Sequence, residues 1–203
     1  MNLQLFGLAE GTDKGDLNHS HNGRSYLDVY DGYFYDFRMR VKRLLEIGVG
    51  NGGSLRMWRD FFPNAVIVGL DIDSKASQYA EPDNRILIQI GSQSNVRLLE
   101  AMAGQSGGFD IVIDDGSHCT ADIITSLSIL WPHTRMFYCV EDTDCSYRAD
   151  WPVLELRTTD AVNRRRDLDK ILLKTIANLD RGDPTIQALH IHNMQIIFEK
   201  HFE

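Results

Sequence analysis

The sequence predicts an α/β fold, a mostly parallel seven-stranded sheet with helices on both faces and an antiparallel hairpin at its C-terminal end. Three observations carry that expectation. Short β-rich apolar runs alternate with amphipathic stretches from Val41 to Val140, the pattern of successive βαβ units. The first run is followed by Gly48-Val49-Gly50-Asn51-Gly52-Gly53, a turn rich enough in glycine to join a strand tightly to a helix. The rhythm then breaks, because residues 187–201 (QALHIHNMQIIFEKH) read as two strands about His192-Asn193.

Taken in order, residues 41–47 (VKRLLEI) form the first strand and the glycine turn leads into a helix through about residue 62. Residues 65–71 (AVIVGLD) are a second strand, followed by a short helix near 75–80. A third strand spans 86–90 and a helix 95–103; a fourth strand spans 109–114 (FDIVID) and a helix 121–130; the fifth strand is 136–140 (MFYCV). Strands alternating with helical segments imply βαβ units and a parallel sheet covered on both faces. A long amphipathic helix over 160–179 precedes the hairpin, whose last strand lies antiparallel to its neighbour. Ahead of the first strand, residues 10–35 are dense in Gly, Asp, Asn, His and Tyr. They read either as a flexible arm leading to a packing helix over 25–40, or as a lid, since exposed Tyr, His and Lys on a loop supply recognition groups.

Composition bounds the partners. The 203 residues carry 21 Lys+Arg against 29 Asp+Glu, a net charge of −8, with 43% hydrophobic and 25% charged residues, which suits one soluble globular domain. Phosphate-rich partners require a positive field, and the basic cluster Arg164-Arg165-Arg166 reads as a solvated helix face, so neither nucleic acid nor an anionic membrane is expected. Cys119, Cys139 and Cys145 are odd in number and form no CxxC pair, which disfavours a disulfide framework and a structural zinc knot and fits a reducing cytoplasm. The N-terminus lacks a basic start followed by an apolar run, and the longest uncharged apolar window, Ile123 to Trp131, is too short to span a bilayer.

The glycine turn fits two ligand loops. Gly48, Gly50 and Gly53 match the GxGxxG of dinucleotide-binding proteins, whereas Glu46, Gly48, Gly50 and Gly52 match the E/DxGxGxG of methyltransferases that use S-adenosylmethionine. Glu46 favours the second, because a carboxylate there would repel a pyrophosphate but suits a ligand carrying an ammonium and a sulfonium. Asp71, at the end of the second strand, is placed to accept from ribose hydroxyls. Asp73 is its neighbour, with helix capping beside Ser74 as the plainer role. Gly91-Ser92-Gln93 falls where an adenine edge would be read.

The fourth strand ends in Asp114-Asp115-Gly116-Ser117-His118 and the fifth in Glu141-Asp142-Thr143-Asp144. Carboxylates gathered at strand C-termini repel one another unless a cation sits among them, and hard oxygen donors suit Mg2+ or Mn2+. Capping of the following helices is the alternative role. His118 stands at the functional end of a strand, where an imidazole can act as general base on a hydroxyl. His190, His192 and His201 read as surface or packing residues, His19 and His21 belong to the N-terminal loop, and Cys119 reads as a small apolar residue.

Together GTDKG at Gly11 to Gly15, the Tyr26/Tyr30 pair, LLEIGVGNGGSLRMW, FPNAVIVGLDID, IDDGSH and VEDTDCSY resemble the metal-dependent sugar O-methyltransferases of antibiotic biosynthesis, of the macrocin, mycinamicin and rhamnosyl-tetracenomycin type. The resemblance runs from about residue 10 to the hairpin. It implies a Rossmann-like class I methyltransferase sheet, S-adenosylmethionine held by Glu46, Gly48, Gly50, Gly52, Asp71, Ser92 and Gln93, and Asp114 facing the donor. It further implies Mg2+ on Asp115, Glu141 and Asp142, with His118 as the base. The acceptor it implies is a hydroxyl of a sugar or glycosylated small molecule; a cytoplasmic location and a homo-oligomer are expected apart from the resemblance. In domain terms, 1–40 would be a lid or arm with its packing helix and 41–203 the catalytic unit, without the extra N-terminal domain of larger macrolide-modifying relatives. Family members often place a His where this chain has Arg24.

Other readings stay open on the residues alone. A nicotinamide-dependent oxidoreductase would share GxGxxG and Asp71 but leaves Glu46, the acidic cluster and the hairpin unexplained. A catalytically silent nucleotide-binding assembly protein is a second alternative. A catechol would also satisfy a site that needs two adjacent acceptor oxygens.

Overall fold

The computed structural model describes residues 2–16, 23–147 and 165–202. His19, His21 and the expected helical residues before Arg165 lie outside that set. The chain divides into two compact units, Met1–Ser92 and Gln93–Glu203.

The first unit opens with helix α1 (Leu3–Glu10), followed by α2 (Tyr26–Phe34), strand β1 (Arg43–Ile47), α3 (Gly53–Phe61), β2 (Val66–Asp71) and β3 (Ile86–Ile90). Strands β1 and β2 pair in parallel, as do β2 and β3. Helix α1 precedes the segment 10–35 and was not expected from the sequence. Asn2 caps it through a side-chain bond from the Leu5 amide, Gly11 ends it in the left-handed conformation, and Leu3 and Gly7 are buried. Gly7 is packed so closely that an added Cβ would collide with Leu27 Cδ1. Under these segments Tyr30 stacks on Phe34 at 4.9 Å, and Trp58 meets Tyr30 edge-on at 5.6 Å. Such aromatic packing contributes beyond the area it buries. Residues 75–80, expected as a short helix, form the 3-10 segment Ser74–Tyr79.

The second unit contains α4 (Val96–Ser106), β4 (Phe109–Asp114), α5 (Thr120–Leu130), β5 (Thr134–Val140), α6 (Arg165–Asp180), β6 (Ala188–His192) and β7 (Gln195–Glu199). Every residue of β4 is buried, and it pairs with β5 in parallel. Helix α4 starts at an Asn95 cap and stops at Gly107, whose φ of 66° suits glycine. Strand β7 runs antiparallel to both β5 and β6. The turn falls at Asn193-Met194, one residue beyond its expected centre, because His192 pairs with Gln195. In strand order the seven-stranded sheet reads β3-β2-β1-β4-β5-β7-β6, mostly parallel with an antiparallel C-terminal hairpin. No described helix is long and apolar enough to cross a membrane.

Candidate active site

In the first unit the glycine turn after β1 bends through three left-handed residues, Gly48, Gly50 and Gly52, with φ of 90°, 53° and 74°. At Gly52 a Cβ would sit 2.8 Å from Tyr79 Cγ, whereas at Gly50 it would meet nothing within 4 Å. The loop backbone at Gly50 is therefore open to a ligand, at the entrance to a helix N-terminus.

Glu46 lies beneath this loop and is fully buried. Its carboxylate accepts from Ser54 Oγ at 2.7 Å and Trp58 Nε1 at 3.4 Å, and Lys14 Nζ stands 3.3 Å away. Lys14 is only 3% exposed. A buried carboxylate requires a compensating cation, and the chain provides one from its N-terminal segment. The same segment touches the loop elsewhere: a Cβ on Gly53 would lie 2.9 Å from the Glu10 carbonyl oxygen, and Arg56 Nε donates to Glu10 Oε2 at 2.9 Å. Lys14 had no assigned role in the sequence, although it sits inside the GTDKG block that carries part of the resemblance.

Asp71 accepts from the Val49 amide through Oδ2 and from the Asp73 amide through Oδ1, both at 2.8 Å. It thus fixes the glycine loop, and each oxygen retains a lone pair for a ribose hydroxyl. Asp73 takes the capping role, accepting from the Lys75 amide at 2.9 Å. Ser92 follows β3 and is half-buried. Open backbone at Gly50 beside an acidic strand end leaves room for a nucleoside with a charged tail, which Gly48, Gly50, Gly52 and Asp71 could hold.

In the second unit, ligand atoms of Asp115, His118 and Asp142 lie within 4.8 Å of one another. His118 Nε2 is 3.6 Å from Asp142 Oδ2. His118 and Asp142 both adopt the left-handed backbone region, with φ of 53° and 51°. Such conformations are unfavourable for residues with a Cβ and persist where the surroundings impose them, commonly at functional sites. Glu141, at the end of β5, is buried and outside this group; its amide donates to the Asp114 carbonyl at 3.0 Å. Buried polar atoms without a hydrogen-bond partner include Thr120 Oγ1, Asp144 Oδ1 and both amide atoms of Gln195. Thr120 and Asp144 each follow a member of the cluster by two positions, and the Thr143 amide donates to the carbonyl of Met194, next to Gln195. Unsatisfied buried groups call for water, an ion or a ligand. Two carboxylates, with unsatisfied polar atoms nearby in the chain, fit a divalent cation that keeps part of its hydration, as Mg2+ does, and leave the His118 imidazole beside it rather than on it.

Asp114 and Gln93 do something the sequence did not suggest. Asp114 is 1% exposed and accepts from Ser126 Oγ, from Tyr138 OH at 3.0 Å and from Gln93 Nε2 at 2.9 Å. Burial pushes its carboxyl above the ordinary carboxylate range, against the opposing pull of these hydrogen bonds. Burial, and then the neighbouring Asp114, likewise push the Tyr138 phenol well above its usual value, so it stays a donor.

No model of a known protein family matches the chain. Among curated proteins, the mycinamicin VI 2''-O-methyltransferase of Micromonospora griseorubida is 44% identical over 132 residues, which cover 61% of this chain and 32% of that protein. The 8-demethyl-8-alpha-L-rhamnosyl tetracenomycin-C 2'-O-methyltransferase of Streptomyces olivaceus is 38% identical over 217 residues, 97% of this chain and 54% of that one. The chain is a homologue of the sugar O-methyltransferases of antibiotic biosynthesis. It spans between a third and about half the length of these sugar O-methyltransferases. Among solved structures, the MycE methyltransferase of the mycinamycin pathway in complex with Mg and SAH aligns with a TM-score of 0.79 at 33% identity, over 98% of this chain and 55% of that one. The MycE complex that also contains mycinamycin VI aligns at 0.76 with 34% identity. The seven-stranded arrangement is accordingly that of a class I methyltransferase.

Proposed function

We propose that the chain is an S-adenosylmethionine-dependent, Mg2+-assisted O-methyltransferase that acts on a hydroxyl of a sugar or a glycosylated small molecule. The observation that carries this reading is the grouping of Asp115, His118 and Asp142 within 4.8 Å, in a homologue of sugar O-methyltransferases. In this reading Gly48, Gly50, Gly52 and Asp71 hold the cofactor, with Ser92 beside them. Asp115 and Asp142 are the carboxylate ligands for Mg2+ or Mn2+, whereas Glu141, the third ligand expected from the sequence, is buried and lies outside that group. Bound there, S-adenosylmethionine would supply an electrophilic methyl group and the metal would lower the pKa of an acceptor hydroxyl. His118 takes the proton from that hydroxyl, and Asp142, 3.6 Å away, keeps the imidazole oriented and stabilises it once charged. With its proton on His118, an acceptor oxygen would be free to take the methyl group that S-adenosylmethionine supplies, with S-adenosylhomocysteine as the product left behind. Lys14 supports the glycine loop from below through its ion pair with Glu46.

Two variants test the reading in a methyl-transfer assay that compares glycosides with catechols. His118→Ala should lower kcat by about 10²–10⁴, the range for loss of a general base. Asp115→Asn should abolish the dependence of rate on Mg2+. Near-normal turnover in His118→Ala removes the base role, and unchanged metal dependence in Asp115→Asn removes the metal assignment. Preference for a catechol would replace the sugar acceptor.

A further inference from the structure

The Asp115–His118 loop must keep His118 in a left-handed conformation while it presents two members of the acidic cluster, so something has to hold it. The structure points to Gln93. This side chain is 6% exposed and has both ends engaged. Its Nε2 donates to Asp114 Oδ1 at 2.9 Å, and its Oε1 accepts from the Ser117 amide at 2.7 Å. Ser117 is held again from its side chain, which donates to Asp122 Oδ2 at 2.9 Å and accepts from the Cys119 amide at 3.2 Å. Asp114 is anchored in turn by Ser126 and Tyr138.

We propose that Gln93 is a positioning residue for the metal loop, a bridge from the buried Asp114 to the Ser117 amide that fixes Asp115 and His118 on either side of it. This rests on the metal reading above and replaces the adenine contact expected from the sequence. An amide is the group this bridge needs, since it must donate to a carboxylate at one end and accept from a backbone N–H at the other. A carboxamide already bonded at both ends has little left with which to read an adenine edge. Loss of the bridge leaves the Ser117 N–H without its acceptor and lets the strained turn relax, displacing Asp115 and His118 while their own chemistry is intact.

The test uses the full chain, with Mn2+ as the probe metal. Gln93→Met keeps the length and removes both bonds. The expected result is a rise of about 10–100-fold in the Mn2+ dissociation constant, the usual effect of removing a group that orients metal ligands, together with faster exchange of the Ser117 amide and unchanged affinity for S-adenosylmethionine. The double variant Gln93→Glu with Asp114→Asn reverses the polarity of the bridge. The amide nitrogen introduced at position 114 would donate to the carboxylate introduced at position 93, which would still accept from the Ser117 amide. The amide oxygen at position 114 would still accept from Ser126 and Tyr138. Recovery of Mn2+ affinity in that variant supports the bridge and is not expected if Gln93 merely fills space. Wild-type Mn2+ affinity in Gln93→Met overturns the proposal, as does a loss confined to S-adenosylmethionine. If the wild-type chain binds no Mn2+, the metal reading itself fails, whereas the exchange rate of Ser117 still reports whether Gln93 holds the loop.

Discussion

Lys14 and Glu46 form a pair whose partners are 3% and 0% exposed, and its value to the protein is asymmetric. Taking both charges out of water gives little net stability, but removing one strands the other in a low-dielectric interior. Lys14→Met should therefore destabilise the fold by about 3–5 kcal/mol, read by urea denaturation. Adding Glu46→Gln should return much of that loss, because the stranded charge is then gone. If the two losses simply added, the ion pair would not be the cause. The same residues show what a sequence conceals at this scale. Asp115, His118 and Asp142 were legible because each follows a strand end, where position alone implies the crevice. Lys14, Gln93 and Asp114 were not, because their roles depend on partners distant in sequence. A buried carboxylate beside a glycine loop reads the same whether its cation is a ligand or a lysine.

At the scale of elements, α2 shows how a local motif sets a boundary. Ser25 accepts from the Asp28 amide at 3.3 Å, and Asp28 Oδ2 accepts from the Ser25 amide at 2.8 Å, a reciprocal capping box. Ser25→Ala should cost about 1 kcal/mol near neutral pH. Burial pushes the Asp28 carboxyl up, but the bonds from Ser25 and Gln4 and the charge of Arg24 outweigh it and leave the pKa below its ordinary value. A depressed carboxylate stabilises the fold above the unfolded-state pKa, about 4, and loses that contribution as pH falls through the folded value. The gap between wild type and Ser25→Ala should therefore narrow in acid, and a gap that widens below pH 4 would contradict this account. The strands were readable from apolar runs alone: β3 and β4 fall on their expected bounds, and β1, β2 and β5 differ by one or two residues at the start. Helix α1 was not readable. The segment carries little periodic signal, and it is held by tertiary packing around Leu3 and Gly7 rather than by its own propensity.

For the whole molecule, the proposed function gives the two units separate tasks, and ligands should report on them separately. S-adenosylmethionine should slow hydrogen exchange around residues 48–53 and 71–73, whereas Mn2+ should broaden the resonances of residues 114–118 and 141–143. Absence of that protection would argue against the cofactor assignment, and absence of that broadening against the metal assignment. The order of strands in the second unit carries a further consequence. Strand β7 pairs with β5 on one side and β6 on the other, although β6 precedes it along the chain. Strand β6 thus has no seat in the sheet until the later strand exists. A chain emerging from a ribosome would hold β6 idle until residues 195–199 appear, and the two must then enter as a preformed pair. Loss of residues 195–199 would cost the sheet two strands rather than one.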